Sequence, residues 1–244
     1  MKKVSILGIQ FDNITLQEAV QFAMDRIRRK EKGYVVTPNA EIAYLCKDDA
    51  ALKNLANGAC LVLPDGIGIV YAAKLLKQPL SGKVAGVDFA ARLLEQLGEA
   101  GKSVYLLGAK PGVAEEAAKR IKQNHPGIVI AGYRDGYFKK DSEAVQAVNA
   151  AGYSDVTFVC LGAPKQERFM AEHLSELNST LLCGLGGSLD VFAGNVNRAP
   201  DIFIKLGLEW FYRLLKEPKR IGRMMTLPKF MITVLGQKIS KRED

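Results

Sequence analysis

One short segment of the chain combines a carboxylate with small neighbours. Residues 61–70 read LVLPDGIGIV, so an apolar run ends on Pro64 and Asp65, and two glycines follow within three positions. Pro-Asp-Gly is a common turn sequence, because proline fixes φ and glycine accepts positive φ. Alternatively, Asp65 is a general base in a cleft, and the glycines leave room for a substrate hydroxyl beside it. The local sequence leaves both interpretations open.

Four other polar or glycine-rich segments also follow apolar, strand-like runs. They are TPNAE at 37–41, LGAKPG at 107–112, GAPKQE at 162–167 and GLGGSLD at 184–190. In an open parallel sheet, ligands bind at the carboxyl ends of the strands. Together with Asp65, these segments therefore predict one site for an oxygen-rich ligand. Each segment also has a plain structural explanation as a turn, a helix cap or a close packing contact.

Several residues in or near these segments are suited to binding a polar substrate. Thr37 and Asn39 could shape a sugar site, although strand exit and helix capping explain them equally well. The glycines before Ser188 would let backbone amides approach a diphosphate, or would simply allow close packing. Gln166 and Glu167 could hydrogen-bond a sugar or a nucleobase, or could cap the helix that they begin. Lys83 could face a phosphate or lie in solvent. The candidate substrate-binding residues of the body are Lys83, Gly108, Tyr137, Gln166, Gly186, Gly187 and Asp190.

Other chemistries lack their sequence signals. LGAKPG is not the GxGxxG pattern of a dehydrogenase and lacks the Lys-Ser/Thr pair of a P-loop, so neither NAD binding nor ATP hydrolysis is expected. No Asp-x-Asp motif is present to hold a diphosphate through a divalent metal. His125 and His173 do not have the spacing of a zinc site, and the four cysteines form no CxxC pair, which favours buried free thiols. We predict no metal and no cofactor.

The elements that would position these residues alternate along residues 1–197. Continuous apolar strands, such as Ser103–Leu107, alternate with amphipathic helices, the first of which Thr15 and Glu18 would begin as a capping box. This alternation predicts an α/β body with a mostly parallel sheet and helices on both faces. Residues 4–9 are predicted as the first strand, and the strand order is not predictable.

The pattern changes in residues 198–244, which we predict to be a basic helical appendage. This segment carries 11 Lys and Arg against 5 Asp and Glu, and helices are predicted at 202–216 and 218–238. Arg213, Lys216, Arg220 and Arg223 fall on one helical face among apolar residues, which suits either an anionic membrane surface or packing on the body. Nucleic acid is not expected, because the aromatic residues are too few and too clustered to stack bases.

Targeting signals are also missing. No run of 18 apolar residues and no secretory signal is present, so we expect a cytoplasmic protein. The basic appendage would then hold it peripherally on the inner face of the cell membrane. The sequence leaves a homo-oligomer open.

The segments together resemble one family, the WecG/TagA/CpsF glycosyltransferases, in order and over nearly the whole chain. The resemblance rests on TPNAE, PDGIGIV, VAGVD, LLGAKPGVAEEAA, GYF, LGAPKQE, GLGGSLDVFAGNVNRAP and LGLEWFYRLLKEPKR. The last segment is most similar to the TagA branch, which acts in wall teichoic acid synthesis. The resemblance implies a Rossmann-like fold with a C-terminal appendage that aids membrane association.

The resemblance also implies a reaction and roles for residues. Such enzymes transfer N-acetylmannosamine from UDP-ManNAc to the 4-hydroxyl of N-acetylglucosamine on undecaprenyl diphosphate, with inversion and without a required metal. Asp65 would be the general base, with Thr37, Asn39 and Gln166 in the same pocket. Three arginines of the appendage would reach the diphosphate or the membrane, and the family pattern has an arginine where this chain has Lys83. The three are Arg213, Arg220 and Arg223.

Two alternatives stay open at this point. The chain could be a related UDP-sugar transferase of another surface polysaccharide pathway. It could instead be a non-catalytic nucleotide-binding module that docks on membranes through its tail.

Overall fold

A computed structural model describes residues 2–196, 198–200, 202–203, 207–216, 222 and 225–243. The described residues contain eight strands, six of which form one parallel sheet flanked by helices, as predicted. The strands are β1 (Lys3–Ile6), β2 (Ile9–Asp12), β3 (Gly33–Val36), β4 (Leu61–Val62), β5 (Ser103–Gly108), β6 (Val129–Arg134), β7 (Ser154–Cys160) and β8 (Ser179–Gly184). Across the sheet, the strand order is β4-β3-β8-β7-β5-β6.

Helices connect the strands and continue beyond the last one. In chain order they are α1 (Leu16–Arg29), α2 (Ala40–Asp48), α3 (Ala50–Gly58), α4 (Ile67–Leu75), α5 (Gly86–Glu99), α6 (Val113–Asn124), α7 (Asp141–Ala150), α8 (Lys165–His173), α9 (Ser188–Phe192), α10 (Glu209–Lys216) and α11 (Thr226–Glu243). The predicted capping box of Thr15 and Glu18 is present at the start of α1.

The sheet buries both of its faces. Along β3, Val35 points into one core and Tyr34 and Val36 into the other, as the two-residue period of a strand requires. The first core lies under α1, α5, α6 and α9. The second lies under the β1–β2 hairpin, α2, α4, α7 and α8. Two covered faces explain why the strands read as continuous apolar runs.

The first predicted strand is wrong, because residues 3–12 form an antiparallel hairpin outside the main sheet. Leu7 and Gly8 make the turn with φ angles of 50° and 85°. Positive φ at both central residues is typical of a two-residue hairpin, but leucine rarely adopts it, so the sequence gives no turn signal. Buried Asp12 accepts a hydrogen bond from Val62 N–H (2.8 Å), and the hairpin thereby covers the edge strand β4.

The C-terminal part of the chain is helical, with bounds that differ from the predicted ones. Residues 202 and 203 are helical, as predicted, but Gly207 has a φ of 71° and interrupts the helix, so α10 begins at Glu209. The second described helix, α11, runs from Thr226 to Glu243, and the predicted start at residue 218 lies outside the described residues. Pro228 lies in its first turn, where the missing N–H of proline costs no helical hydrogen bond.

Helix α11 contributes to the second core. Phe230 and Val234, one turn apart, are fully buried where α11 packs on α2 and α4. The N–H of Leu7 donates to Gln237 Oε1 (3.0 Å), which ties the helix to the hairpin as well. The opposite side of α11 exposes Ile232 and Ile239. Within the described ranges, no helix has the length and hydropathy needed to cross a membrane.

Candidate active site

The structure brings all five polar segments to the edge of the sheet that the carboxyl ends of its strands form. Each follows a strand of the parallel sheet, so the segments lie side by side in the order of the strands that they follow. The segment after β8 leads to α9 on the first face, whereas the segments after its neighbours β3 and β7 lead to α2 and α8 on the second face. Where the connections after neighbouring strands lead to opposite faces of the sheet, a crevice lies between them. Open α/β sheets bind ligands in such crevices.

Asp65 lies half-buried in the turn that follows β4. The carbonyl of Pro64 accepts a hydrogen bond from Val84 N–H (3.0 Å), which fixes the start of the turn. Gly66 has a φ of 87°, and a methyl group added there would lie 3.9 Å from Asn39 Cβ. Gly66 is therefore a true turn glycine that also brings Asp65 close to the segment after β3. The turn is therefore present, and it is compatible with a role of Asp65 as a base, which stays a prediction.

Thr37 and Asn39 both make structural hydrogen bonds. Buried Thr37 donates from Oγ1 to the carbonyl of Gly184 (2.9 Å), which links the ends of β3 and β8. Asn39 caps α2, because its Oδ1 accepts from Ile42 N–H (3.1 Å). Gly86 packs so closely on Thr37 that an added methyl group would lie 3.2 Å from its Oγ1. These two residues shape the edge of the site whether or not they also touch a substrate.

Gln166 lies beneath the edge and joins two of the segments. Its side chain is 2% exposed, and its Oε1 accepts a hydrogen bond from Gly186 N–H (3.0 Å). Its Nε2 donates to Glu167 Oε1 (2.9 Å). The amide is therefore engaged with the protein on both sides, in the position where the sequence suggested a direct contact with a sugar or nucleobase.

Glu167, which the sequence suggested as a sugar or nucleobase contact beside Gln166, is a buried carboxyl group. It is 1% exposed, and burial raises its pKa above the ordinary value although the Gln166 amide opposes this shift. Its Oε2 has no hydrogen-bond partner within the part of the chain that the structure describes. Only the fold reveals this burial, since glutamate in the first turn of a helix is usually a solvated residue.

The remaining candidates of the body lie at different places along the edge. Methyl groups added at Gly186 or Gly187 would meet no atom of the other described residues within 4 Å, apart from their chain neighbours, so the described part of the chain leaves space beside this turn. Asp190 follows on α9 and is half-buried. Gly108 is required by packing, because a side chain there would collide with the carbonyl of Cys160. Tyr137 follows β6 at the far side of the sheet and is 70% exposed.

Lys83 forms an ion pair with the predicted appendage of residues 198–244, the C-terminal segment. Its Nζ lies 3.0 Å from Glu209 Oε2, and the two side chains are only 20% and 16% exposed. Nearby, a methyl group added at Gly207 would lie 3.0 Å from Ile67 Cγ1, so the segment runs against the start of α4. The sequence suggested a phosphate contact for Lys83 and gave no sign of Glu209, because nothing in a sequence pairs residues so far apart.

The C-terminal segment makes two further contacts with the edge of the site. Arg198 pairs with Asp88 on the first turn of α5 at 2.7 Å. Leu227 packs so closely on Gly68 that an added methyl group would lie 2.8 Å from its Cδ1. The predicted roles of three arginines fall outside the described residues. This applies to the side chain of Arg213, on α10, and to all of Arg220 and Arg223.

Groups that could ligate a metal occur elsewhere. Ligand atoms of Asp141, Glu172 and His173 lie within 4.8 Å of one another. The last two are at the end of α8, about 12 Å along the helix axis from the edge at which it begins. The cysteines are free, as predicted, and burial raises the pKa values of Cys46 and Cys160 to about 12, so neither is a reactive thiolate.

Comparison with known proteins shows the family of the chain. The chain matches the Glycosyl transferase WecG/TagA/CpsF family over residues 4–244. A protein of Bacillus subtilis strain 168 is 36% identical over 243 residues, which are 99% of this chain and 94% of the relative. A protein of Staphylococcus aureus strain MW2 is 37% identical over 238 residues, which are 97% of this chain and 93% of the relative.

A third relative, from Bacillus spizizenii strain W23, is 42% identical over 202 residues, which are 83% of this chain and 78% of the relative. All three are named N-acetylglucosaminyldiphosphoundecaprenol N-acetyl-beta-D-mannosaminyltransferase. These matches confirm the resemblance seen in the sequence motifs: the chain belongs to the WecG/TagA/CpsF family of glycosyl transferases.

Proposed function

We propose that this protein transfers N-acetylmannosamine from UDP-ManNAc to the 4-hydroxyl of the N-acetylglucosamine on undecaprenyl diphosphate, in wall teichoic acid linkage-unit synthesis. The names of relatives at 36–42% identity support the transferred sugar and the lipid acceptor. Residues 1–197 would be the catalytic body, and residues 198–244 the appendage that completes the site.

The observation that carries the proposal is the contact between the Asp65 turn and the C-terminal segment. Gly207 lies against Ile67, two residues after Asp65, and Leu227 lies against Gly68. A carboxylate at the edge of the crevice would thus lie beside a segment that belongs to the basic tail. A lipid-linked acceptor needs that arrangement, because its sugar must reach the base while its diphosphate and lipid stay near cationic and apolar groups.

The proposed chemistry needs one base and a stabilised leaving group. Asp65 takes the proton from the acceptor 4-hydroxyl as that oxygen forms a bond to C1 of the donor sugar. The bond from C1 to the β-phosphate oxygen breaks on the opposite face, its electron pair leaves with UDP, and the anomeric configuration inverts. A single carboxylate suffices, unlike the two of a glycosidase. Basic side chains and backbone amides would stabilise the departing diphosphate without a metal.

We also propose that the protein docks on the inner face of the cell membrane through its C-terminal helix. The exposed side of α11 presents Ile232, Leu235 and Ile239 at helical spacing, with Lys229 one turn before them. An apolar stripe with basic neighbours is typical of a helix that lies on an anionic lipid surface.

Release of UDP in the presence of a lipid-diphosphate GlcNAc acceptor tests the function. We expect UDP-ManNAc to be consumed and Asp65→Asn to lower kcat by about 100-fold or more, because the amide cannot accept the proton. UDP-GlcNAc and UDP-glucose serve as competing donors in the same assay. Asp25→Asn, a change in an exposed ion pair on α1, is the matched control and should retain activity.

Two results would contradict the proposal. The first is UDP release no faster than with heat-inactivated protein. The second is full activity in Asp65→Asn, which would remove Asp65 from the reaction.

A further inference from the structure

The Gln166 amide is held between a buried carboxylate and a backbone amide. Glu167 Oε1 accepts from Gln166 Nε2 (2.9 Å), and Gln166 Oε1 accepts from Gly186 N–H (3.0 Å). The Gln166 and Glu167 side chains are 2% and 1% exposed, so water does not compete for these bonds. The chain of bonds runs from the interior beside α8 to the turn that opens α9.

Only one orientation of the amide satisfies both neighbours. Gly186 N–H can only donate, so it requires the oxygen of Gln166 on its side. The nitrogen then points to Glu167, whose carboxylate accepts. If Glu167 were absent, the buried NH₂ group would lose this partner, and the amide would be free to rotate away from Gly186.

The turn at Gly186 is otherwise tightly built on one side and open on the other. Gly184, two residues earlier, accepts the Thr37 hydroxyl, and a methyl group added at Gly184 would lie 2.6 Å from Met170 Cε. Apart from chain neighbours, no atom of the residues that the structure describes lies within 4 Å of methyl groups added at Gly186 and Gly187. The Gln166 bond therefore fixes this segment at Gly186, where the described residues leave space beside the turn.

We propose that Glu167 is a positioning residue for donor binding: its carboxylate orients the Gln166 amide, which holds the Gly186–Gly187 turn in the shape that accepts the nucleoside diphosphate of the donor. The inference rests on the proposed function. Glu167 touches no substrate in this scheme and acts only through Gln166.

Calorimetric binding of UDP to the full-length protein tests this inference. We expect Glu167→Ala to raise the Kd for UDP roughly tenfold or more, since a mispositioned contact weakens all bonds that depend on it. Glu167→Gln keeps an oxygen that can accept from Gln166 Nε2, so it should stay within about threefold of the wild type. Glu167→Asp withdraws the carboxylate by one methylene and should resemble Glu167→Ala, which keeps the test decisive if the alanine variant does not fold.

Asp155→Ala is the matched control for a general loss of stability. Asp155 is also a buried carboxylate, and its Oδ2 accepts from Ser103 N–H (2.9 Å) where β5 begins, at the opposite end of the sheet. This variant should unfold at a lower temperature and yet bind UDP as the wild type does. Amide exchange gives a second measurement, because Gly186 N–H should exchange faster in Glu167→Ala and Glu167→Asp but not in Asp155→Ala.

The outcomes separate this inference from the function on which it rests. If the wild type binds no UDP, both are overturned. If the wild type binds UDP and Glu167→Ala and Glu167→Asp bind it equally well, only the positioning role is wrong. The same holds if Asp155→Ala weakens UDP binding as much as the Glu167 variants do.

Discussion

At the scale of single residues, several side chains with a proposed role in catalysis also make structural hydrogen bonds. Thr37 bonds the carbonyl of Gly184, Asn39 caps α2 and Gln166 bonds Gly186. An alanine substitution at any of them removes a hydrogen bond of the fold together with any contact to the substrate. Conservative variants that retain the structural bond, such as Asn39→Asp at the cap, are therefore the informative ones.

The buried carboxyl of Glu167 predicts a dependence of stability on pH. Burial raises its pKa in the folded state above the ordinary 4.5, so the charged form is disfavoured there. Stability is therefore lost as the pH rises from about 4.5 through the folded pKa. Glu167→Gln does not titrate. It should melt at a higher temperature than the wild type at neutral pH, and the difference should shrink as the pH falls.

Thermal unfolding of both proteins between pH 4.5 and pH 8 measures this difference. Glu172→Gln, an exposed position on the same helix, is the control and should follow the wild type across the range. A Glu167→Gln difference that stays constant with pH would show that the buried carboxyl does not change its charge.

Sequence reasoning identified the residue types at the edge of the site but not all of their partners. The segment with Asp65 and the glycines of 184–190 were recognisable, because turn and strand signals are local. The burial of Glu167 and the pairing of Glu209 with Lys83 were not recognisable in the sequence, because both arise only when distant parts of the chain meet.

At the scale of elements, the parallel sheet could be predicted and its topology could not. Apolar strands that alternate with amphipathic helices report a sheet covered on both faces. The order of strands depends on long-range pairing, which leaves no local pattern. The β1–β2 hairpin was missed for a different reason: six nearly continuous apolar residues resemble one strand, and the turn places Leu7, not a typical turn residue, at positive φ.

The ion pair of Lys83 and Glu209 gives a prediction for the docking of α10. Charge reversal by Lys83→Glu or Glu209→Lys would place like charges together in a mostly buried contact, and we expect each to lower activity about tenfold. The double variant Lys83→Glu/Glu209→Lys restores opposite charges and should recover activity to within about threefold. Hydrogen exchange of α10, measured in all three variants, reports docking independently of activity.

The double variant also distinguishes two roles of Lys83. If Lys83 binds the diphosphate of a substrate, protection of α10 will return while activity does not. Recovery of neither property would contradict a docking role for the pair.

At the scale of the whole molecule, α11 joins the body to its proposed membrane surface. One side of the helix buries Phe230 and Val234 in the second core, and the other exposes Ile232 and Ile239, with 68% and 59% of each residue accessible. A helix fixed in this way would set the orientation of the whole protein on a bilayer. The crevice at the end of the sheet would then keep a constant relation to the lipid-linked acceptor.

The exposed side of α11 should therefore control vesicle binding without affecting the fold. We expect Ile232→Ser/Ile239→Ser to weaken binding to vesicles with anionic lipids roughly tenfold or more, because two apolar side chains no longer partition into the interface. Flotation of the full-length protein with vesicles at low and high salt measures this, and salt should weaken the electrostatic part. Val129→Ser is the control, because Val129 is 50% exposed on β6, at the other edge of the sheet from α2 and α4.

Unchanged flotation of the double variant would mean that this side of α11 does not face the membrane. Activity with a water-soluble acceptor should stay normal in that variant, whereas activity with a bilayer-embedded acceptor should fall with binding.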